Sequence, residues 1–202
     1  MELHLLFNGK MKNNIREILA LNPLVPVVTF HENDDPLAFM EFLLKQNVNC
    51  IEITLRTNSG LSAIESIKKE FDTVKVGAGT VVNGDQIKML RDLGVDFMVS
   101  PGTTKKLIKE FLNSEIPFIN GVSTASEIIL AKELGLNTLK FFPAHLYGGI
   151  DAIKMFGQLF PDVKFCPTGG INEQSSKEYL AQSNVIAVGG SWFQKEYKKY
   201  KE

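Results

Sequence analysis

Ala125-Ser-Glu-Ile-Ile-Leu-Ala-Lys-Glu-Leu-Gly-Leu-Asn-Thr-Leu-Lys-Phe-Phe-Pro143 holds one helix and one strand back to back, and the rest of the chain repeats its plan. Over Ala125–Leu134 the apolar residues recur at helical spacing, and Gly135 follows as a C-cap. From Thr138 the period changes to two. Leu139 and Phe141 face one way and Thr138, Lys140 and Phe142 the other. Pro143 and the Gly148-Gly149 pair then punctuate a loop before the next helix.

The same alternation extends in both directions. Strands are expected over Val25–Phe30, Cys50–Arg56, Lys75–Thr80, Phe97–Gly102, Pro117–Val122, Thr138–Pro143, Val163–Thr168 and Val185–Gly190. Helices are expected between them, over Pro36–Gln46, Gly60–Phe71, Asp85–Leu93, Thr104–Asn113, Ala125–Leu134, Ile150–Phe160 and Gln174–Gln182. A short helix over residues 13–22, capped by Asn13 or Asn14, precedes the first strand. Strand and helix in strict alternation, about 20 to 25 residues per unit, imply parallel strands joined by right-handed crossovers. A doubly wound open sheet and a closed barrel both satisfy this. Eight units in 202 residues, with short strands of mixed polarity, favour an α/β fold of the (β/α)8 TIM-barrel class in one domain spanning 1–202. The eighth helix is expected to be reduced, and the charged tail within 193–202, from Gln194 on, to fray.

Composition narrows the function. Apolar residues make up 44% and charged residues 22%, with 22 basic and 23 acidic side chains, so neither nucleic acid nor an anionic membrane is indicated as a partner. No apolar run reaches the length of a membrane span, and the N-terminus (Leu3, Leu5, Leu6, Phe7) lacks the basic region of a signal peptide. Two cysteines, Cys50 and Cys166, suit reduced thiols in a cytoplasmic protein. His4, His31 and His145 have no ligand spacing, so no metal is expected. No glycine fingerprint for a nicotinamide cofactor is present either, and the expected cofactor list is empty.

Candidate chemistry gathers at the C-terminal ends of the strands, where such barrels carry their sites. Lys140, on the inward side beside Phe142, stands where an unpaired ammonium would be costly, and a lysine in such surroundings suits Schiff-base chemistry. Along Cys50–Arg56, Ile51, Ile53 and Leu55 face the helices while Glu52, Thr54 and Arg56 face the interior. That row supplies an acid/base and an anion clamp, or else a self-satisfied Glu52–Arg56 pair. Val76-Gly-Ala-Gly-Thr80 lets a ligand approach the backbone, and Ser123 or Thr124 suits a helix cap. Thr168-Gly-Gly170 and Gly189-Gly-Ser191 close adjacent strands near helix N-termini, the arrangement that binds phosphate through backbone N–H groups, or else two tight turns.

Glu52-Ile-Thr-Leu-Arg-Thr57, Gly77-Ala-Gly-Thr80, Ser100-Pro-Gly102, Lys140-Phe-Phe-Pro-Ala144, Phe165-Cys-Pro-Thr-Gly-Gly170 and Gly189-Gly-Ser-Trp192 occur in this order. Together they resemble the 2-keto-3-deoxy-6-phosphogluconate aldolase family, which also includes 4-hydroxy-2-oxoglutarate aldolases. The resemblance runs from about Pro26 to Trp192. It implies a homotrimer of (β/α)8 barrels working through a lysine imine, without metal, on a keto-acid phosphate. By motif position it implies Lys140 as Schiff-base former, Glu52 as acid/base, and Arg56 and Thr80 on the pyruvate-side carboxylate. Pro101 and Phe142 would line the pocket, and Gly169, Gly170 and Ser191 would hold the phosphate. The chain departs from the family at His145, where many relatives are acidic, and at Val28-Thr29-Phe30, where some carry an arginine. A phosphate-binding barrel without catalysis would gain nothing from an inward lysine and glutamate. An isomerase would need a second carboxylate or a histidine at a strand end.

Overall fold

In the computed structural model the structure describes residues 15–202. The proposed caps at Asn13 and Asn14, and His4, lie outside the described residues. Eight parallel strands run in the order β7-β6-β5-β4-β3-β2-β1-β8. They are β1 (Leu24–Val28), β2 (Cys50–Thr54), β3 (Lys75–Gly79), β4 (Phe97–Ser100), β5 (Phe118–Val122), β6 (Thr138–Phe141), β7 (Lys164–Pro167) and β8 (Val188–Gly190). Bridges from Phe165 to Val185 and from Thr168 to Gly189 join the two ends of this order, so the sheet is a barrel and not an open, doubly wound sheet.

Helix α1 (Ile15–Leu21) precedes the barrel, and the crossovers are α2 (Pro36–Leu44), α3 (Ser59–Glu70), α4 (Gly84–Asp92), α5 (Lys105–Ser114), α6 (Ala125–Glu133), α7 (Gly149–Leu159) and α8 (Glu173–Leu180). A single 3-10 turn, Ala144–Leu146, separates β6 from α7. Side-chain caps start most of these helices where the sequence places Asp, Asn or Thr. Asp35 accepts from Leu37 N and Ala38 N, and Thr124 forms a reciprocal capping box with Glu127. Asn172 does the same with Ser175 at the start of α8.

Period-two alternation divides the apolar residues into two cores. Outward residues such as Ile51, Ile53, Leu139 and Phe141 pack against the helices. Inside the barrel, Val25, Cys50, Phe97, Val99, Ile119, Cys166 and Ala187 meet Ile15 and Leu19 of α1, which closes the lower end. Arg16 holds α1 there through hydrogen bonds to Thr138 Oγ1 (2.9 Å) and Asn137 O (2.6 Å). Large interior side chains lie over glycines. A Cβ on Gly77 would sit 2.2 Å from the Phe97 ring.

Two expectations change. Strand β2 stops at Thr54, and Arg56 lies in the following turn, exposed, because the chain bends there to enter α3. The tail does not fray: α9 (Trp192–Lys201) is a short but complete helix. Its charges face solvent while Trp192 and Phe193 are buried, and Tyr197 packs edge-on against Phe39 (5.0 Å between centroids). The charge run of the tail hid this apolar stripe.

Candidate active site

β2 and β6 stand four strands apart in the eight-stranded ring, on opposite walls, so inward side chains from each meet only by crossing the lumen. Lys140 is long enough to do so. Its Nζ lies 3.1 Å and 3.2 Å from the two carboxylate oxygens of Glu52, with 6% and 5% of the two side chains exposed. The partner that a buried ammonium requires is therefore Glu52. Glu52 pairs with Lys140 and not with Arg56, so the alternative of a self-contained Glu52–Arg56 pair falls. Among the described residues Arg56 makes no ion pair.

Small residues leave room for this crossing. The Lys140 register neighbours are Gly121 on β5 and Cys166 on β7. A Cβ on Gly79 would fall 2.3 Å from Glu52 Oε1. Phe142 lies beside the amine, its ring centroid 5.2 Å from Nζ, a cation–π distance. Its backbone is held on both sides, by its N–H to Val122 O (3.1 Å) and by the Ser123 hydroxyl donating to its carbonyl (2.8 Å). Burial pushes the Cys166 thiol up to about 12; the nearby Lys140 charge opposes this and Glu52 adds to it. This thiol is an inert wall of the site, not a nucleophile.

Thr80, directly after β3, has φ 64°, a left-handed conformation that a β-branched residue rarely adopts and that concentrates at functional sites. Pro101 rises over Gly121, whose Cβ would meet Pro101 O at 2.1 Å. Gly169 and Gly170 both have positive φ, 99° and 72°, a turn open to glycine and leading into α8. Ser191 caps α9 without using its hydroxyl on the helix, and it is exposed. The Thr168–Gly189 bridge brings these two ends together. The second glycine pair differs from expectation: Gly189 and Gly190 lie within β8, and their missing side chains make room for Thr168 and the Trp192 ring.

Thr168 was missed by sequence reasoning. It is 5% exposed and inward, and its hydroxyl makes a long contact, 3.4 Å, to Cys166 O. Alternation from Cys166 would have placed it in the site. His145 lies on the 3-10 turn directly over Gly170, where a Cβ would approach its Cγ to 2.5 Å. A separate cavity of about 120 Å³ lies outside the barrel, between Phe30, Asp34, Phe39, Gln194 and Tyr197. It contains none of the residues just described and no nucleophile paired with a base.

The family model described as "Aldolase: KDPG and KHG aldolase" matches residues 15–201. The KHG/KDPG aldolase of Escherichia coli K12 is 39% identical over 181 residues, 90% of this chain and 85% of that protein. The 2-dehydro-3-deoxy-phosphogluconate aldolase of Pseudomonas aeruginosa is 41% identical over 169 residues, 84% of this chain and 77% of that protein. Among solved structures, the KDPG aldolase of Legionella pneumophila, with pyruvate captured as a covalent carbinolamine, superposes with a TM-score of 0.88 at 38% identity, covering 96% of this chain and 94% of that one. A buried lysine and glutamate meeting across a closed barrel, together with these matches over nearly the whole chain, place it in the KDPG and KHG aldolase family of aldehyde-lyases.

Proposed function

We propose that the chain cleaves 2-keto-3-deoxy-6-phosphogluconate reversibly to pyruvate and glyceraldehyde 3-phosphate through an imine on Lys140. The observation that carries this reading is the buried Lys140–Glu52 contact at 3.1 Å. Amine attack needs a free lone pair, and Glu52 is placed to take the Lys140 proton. Nζ then adds to the C2 ketone, Glu52 returns its proton to the carbinolamine hydroxyl so that it leaves as water, and the protonated imine accepts the electron pair of the breaking C3–C4 bond. Glu52 takes the C4 hydroxyl proton, directly or through one water, as the aldehyde departs. The remaining enamine is protonated at C3 and the imine is hydrolysed to pyruvate.

Arg56 and Thr80 hold the carboxylate beside C2, and Pro101 and Phe142 line the pocket around it. Thr168 faces the reacting carbons. Gly169, Gly170 and Ser191 hold the phosphate through backbone N–H groups and the free Ser191 hydroxyl, helped by the positive ends of α8 and α9. The same lysine serves 4-hydroxy-2-oxoglutarate, which lacks a phosphate, and the galactonate epimer remains a second candidate. Buried free cysteines suit a reducing, cytoplasmic setting.

Incubation with pyruvate and borohydride, followed by peptide mass mapping, tests the assignment. The adduct is expected on the peptide bearing Lys140. An adduct on Lys154 or Lys164, or none, would overturn it.

A further inference from the structure

Two threonines meet at the mouth of the barrel. The register pairs Val27 with Glu52 and Val28 with Ile53, so one further step sets Thr29 beside Thr54. Their hydroxyl oxygens are 2.7 Å apart. Thr54 follows Glu52 by two residues on the same inward face, which puts the hydroxyl pair in the layer above the acid/base.

Two hydroxyls bring two O–H donors, and the bond between them uses one. Among the described residues neither hydroxyl has another hydrogen-bond partner. Thr54 is 0% exposed, where an unused donor is costly, whereas Thr29 is only half-buried. The favoured arrangement therefore has Thr54 donating to Thr29. Thr29 keeps its own O–H unused at the mouth. Its backbone is clamped at two points by Gln194 of α9, which donates to Thr29 O (3.0 Å) and accepts from Thr29 N–H (3.4 Å). Around the ring, β1 lies between β8, which leads to Ser191, and β2 and β3, beyond whose ends lie Arg56 and Thr80. A substrate reaching from a carboxylate corner to a phosphate corner passes this wall.

We infer that Thr29 is a specificity-determining residue, donating a hydrogen bond to the hydroxyl that the aldehyde fragment carries beside its carbonyl carbon. Thr54 and Gln194 are positioning residues that aim it. This rests on the aldolase reading above. The test runs the reaction in the condensing direction, with pyruvate and either glyceraldehyde 3-phosphate or 3-oxopropyl phosphate, which keeps the phosphate and lacks that hydroxyl. The wild-type chain is expected to prefer the hydroxylated aldehyde in kcat/KM. In Thr29→Val the preference falls about three- to ten-fold, the worth of one neutral hydrogen bond, mostly through KM. Thr29→Ser retains it, and Gln194→Ala lowers it in part. Thr54→Val reads the same ratio if Thr29→Val does not fold.

A wild-type ratio near one, or a ratio unchanged in Thr29→Val, overturns the inference. Parallel loss on both aldehydes in the folded variant does so too. Borohydride trapping of pyruvate on the same samples separates the two readings. No adduct on Lys140 in the wild-type chain overturns the aldolase reading itself, whereas an adduct with an unchanged ratio overturns only the role of Thr29.

Discussion

Taking away either member of the Glu52–Lys140 pair strands the other inside the barrel. Loss of one partner of a buried ion pair typically costs about 3–5 kcal/mol, so Lys140→Met should lower stability to urea by that order and abolish imine trapping. The Lys140→Met, Glu52→Leu double variant should recover part of the stability, since no charge is left unpaired. Glu52→Gln is expected to differ in kind: pyruvate still traps on Lys140, while kcat falls roughly 10²–10⁴-fold, the usual worth of a positioned acid/base. Equal loss of trapping in both single variants would deny Glu52 a role distinct from holding the lysine. At the phosphate end, Gly170→Val is a poor probe, because its side chain would run into His145 and strain a positive φ. Ser191→Ala disturbs only an exposed, unused hydroxyl. It should lower kcat/KM for the phosphorylated substrate about three- to ten-fold and for 4-hydroxy-2-oxoglutarate much less. Equal losses on both would remove Ser191 from the phosphate site.

Among the elements, the joint between β3 and β4 has the densest ionic anchoring. Asp96 accepts from Val76 N–H (2.9 Å) and pairs with Lys68 of α3 (2.9 Å) and Lys75 (3.2 Å). Partial burial raises its pKa, but the Val76 N–H and the two ammonium groups outweigh that and hold the carboxyl below its ordinary 3.8. A carboxyl depressed in the folded state stabilises fully above its unfolded value, and that contribution is lost as pH falls through the folded value. Asp96→Asn should therefore lower Tm at neutral pH and flatten its decline below about pH 4; an unchanged acid limb would contradict this. Elements of this kind were legible in the sequence because capping residues and periodicity agree locally. Asp35, Thr124 and Asn172 each begin a helix where their side chains cap it. Strand ends were read less well. Arg56 continues the alternation of β2 in sequence, yet the chain has already turned, since period two says nothing about where a ladder stops. In α9 the lysines masked Trp192, Phe193 and Tyr197, whose burial depends on Gly190, Phe39 and Phe42 from distant parts of the chain.

At the scale of the molecule, the alternation of eight strands and their helices declared the barrel, but the Lys140–Glu52 partnership did not. It joins residues 88 positions apart, and nothing local to either motif names the other. Closure of the barrel makes them neighbours. The family resemblance leads us to propose that whole chains associate, and exposed Leu146, Met155 and Leu159, each more than half accessible, are apolar surface that such contacts would cover. We expect sedimentation equilibrium to report a particle of three 22.5 kDa chains; a monomer mass would exclude the trimer. The glycines beneath Phe97, Glu52 and Thr168 have a consequence for descent. Each large side chain occupies the volume its opposite glycine vacates, at Gly77, Gly79 and Gly189. A lineage altering one of these positions alone passes through an overfilled or hollow interior, so viable routes between sibling enzymes must change both partners together or in quick succession. Inheritance in this barrel is thus transmitted in couples, and Glu52 is bound in this way to Gly79.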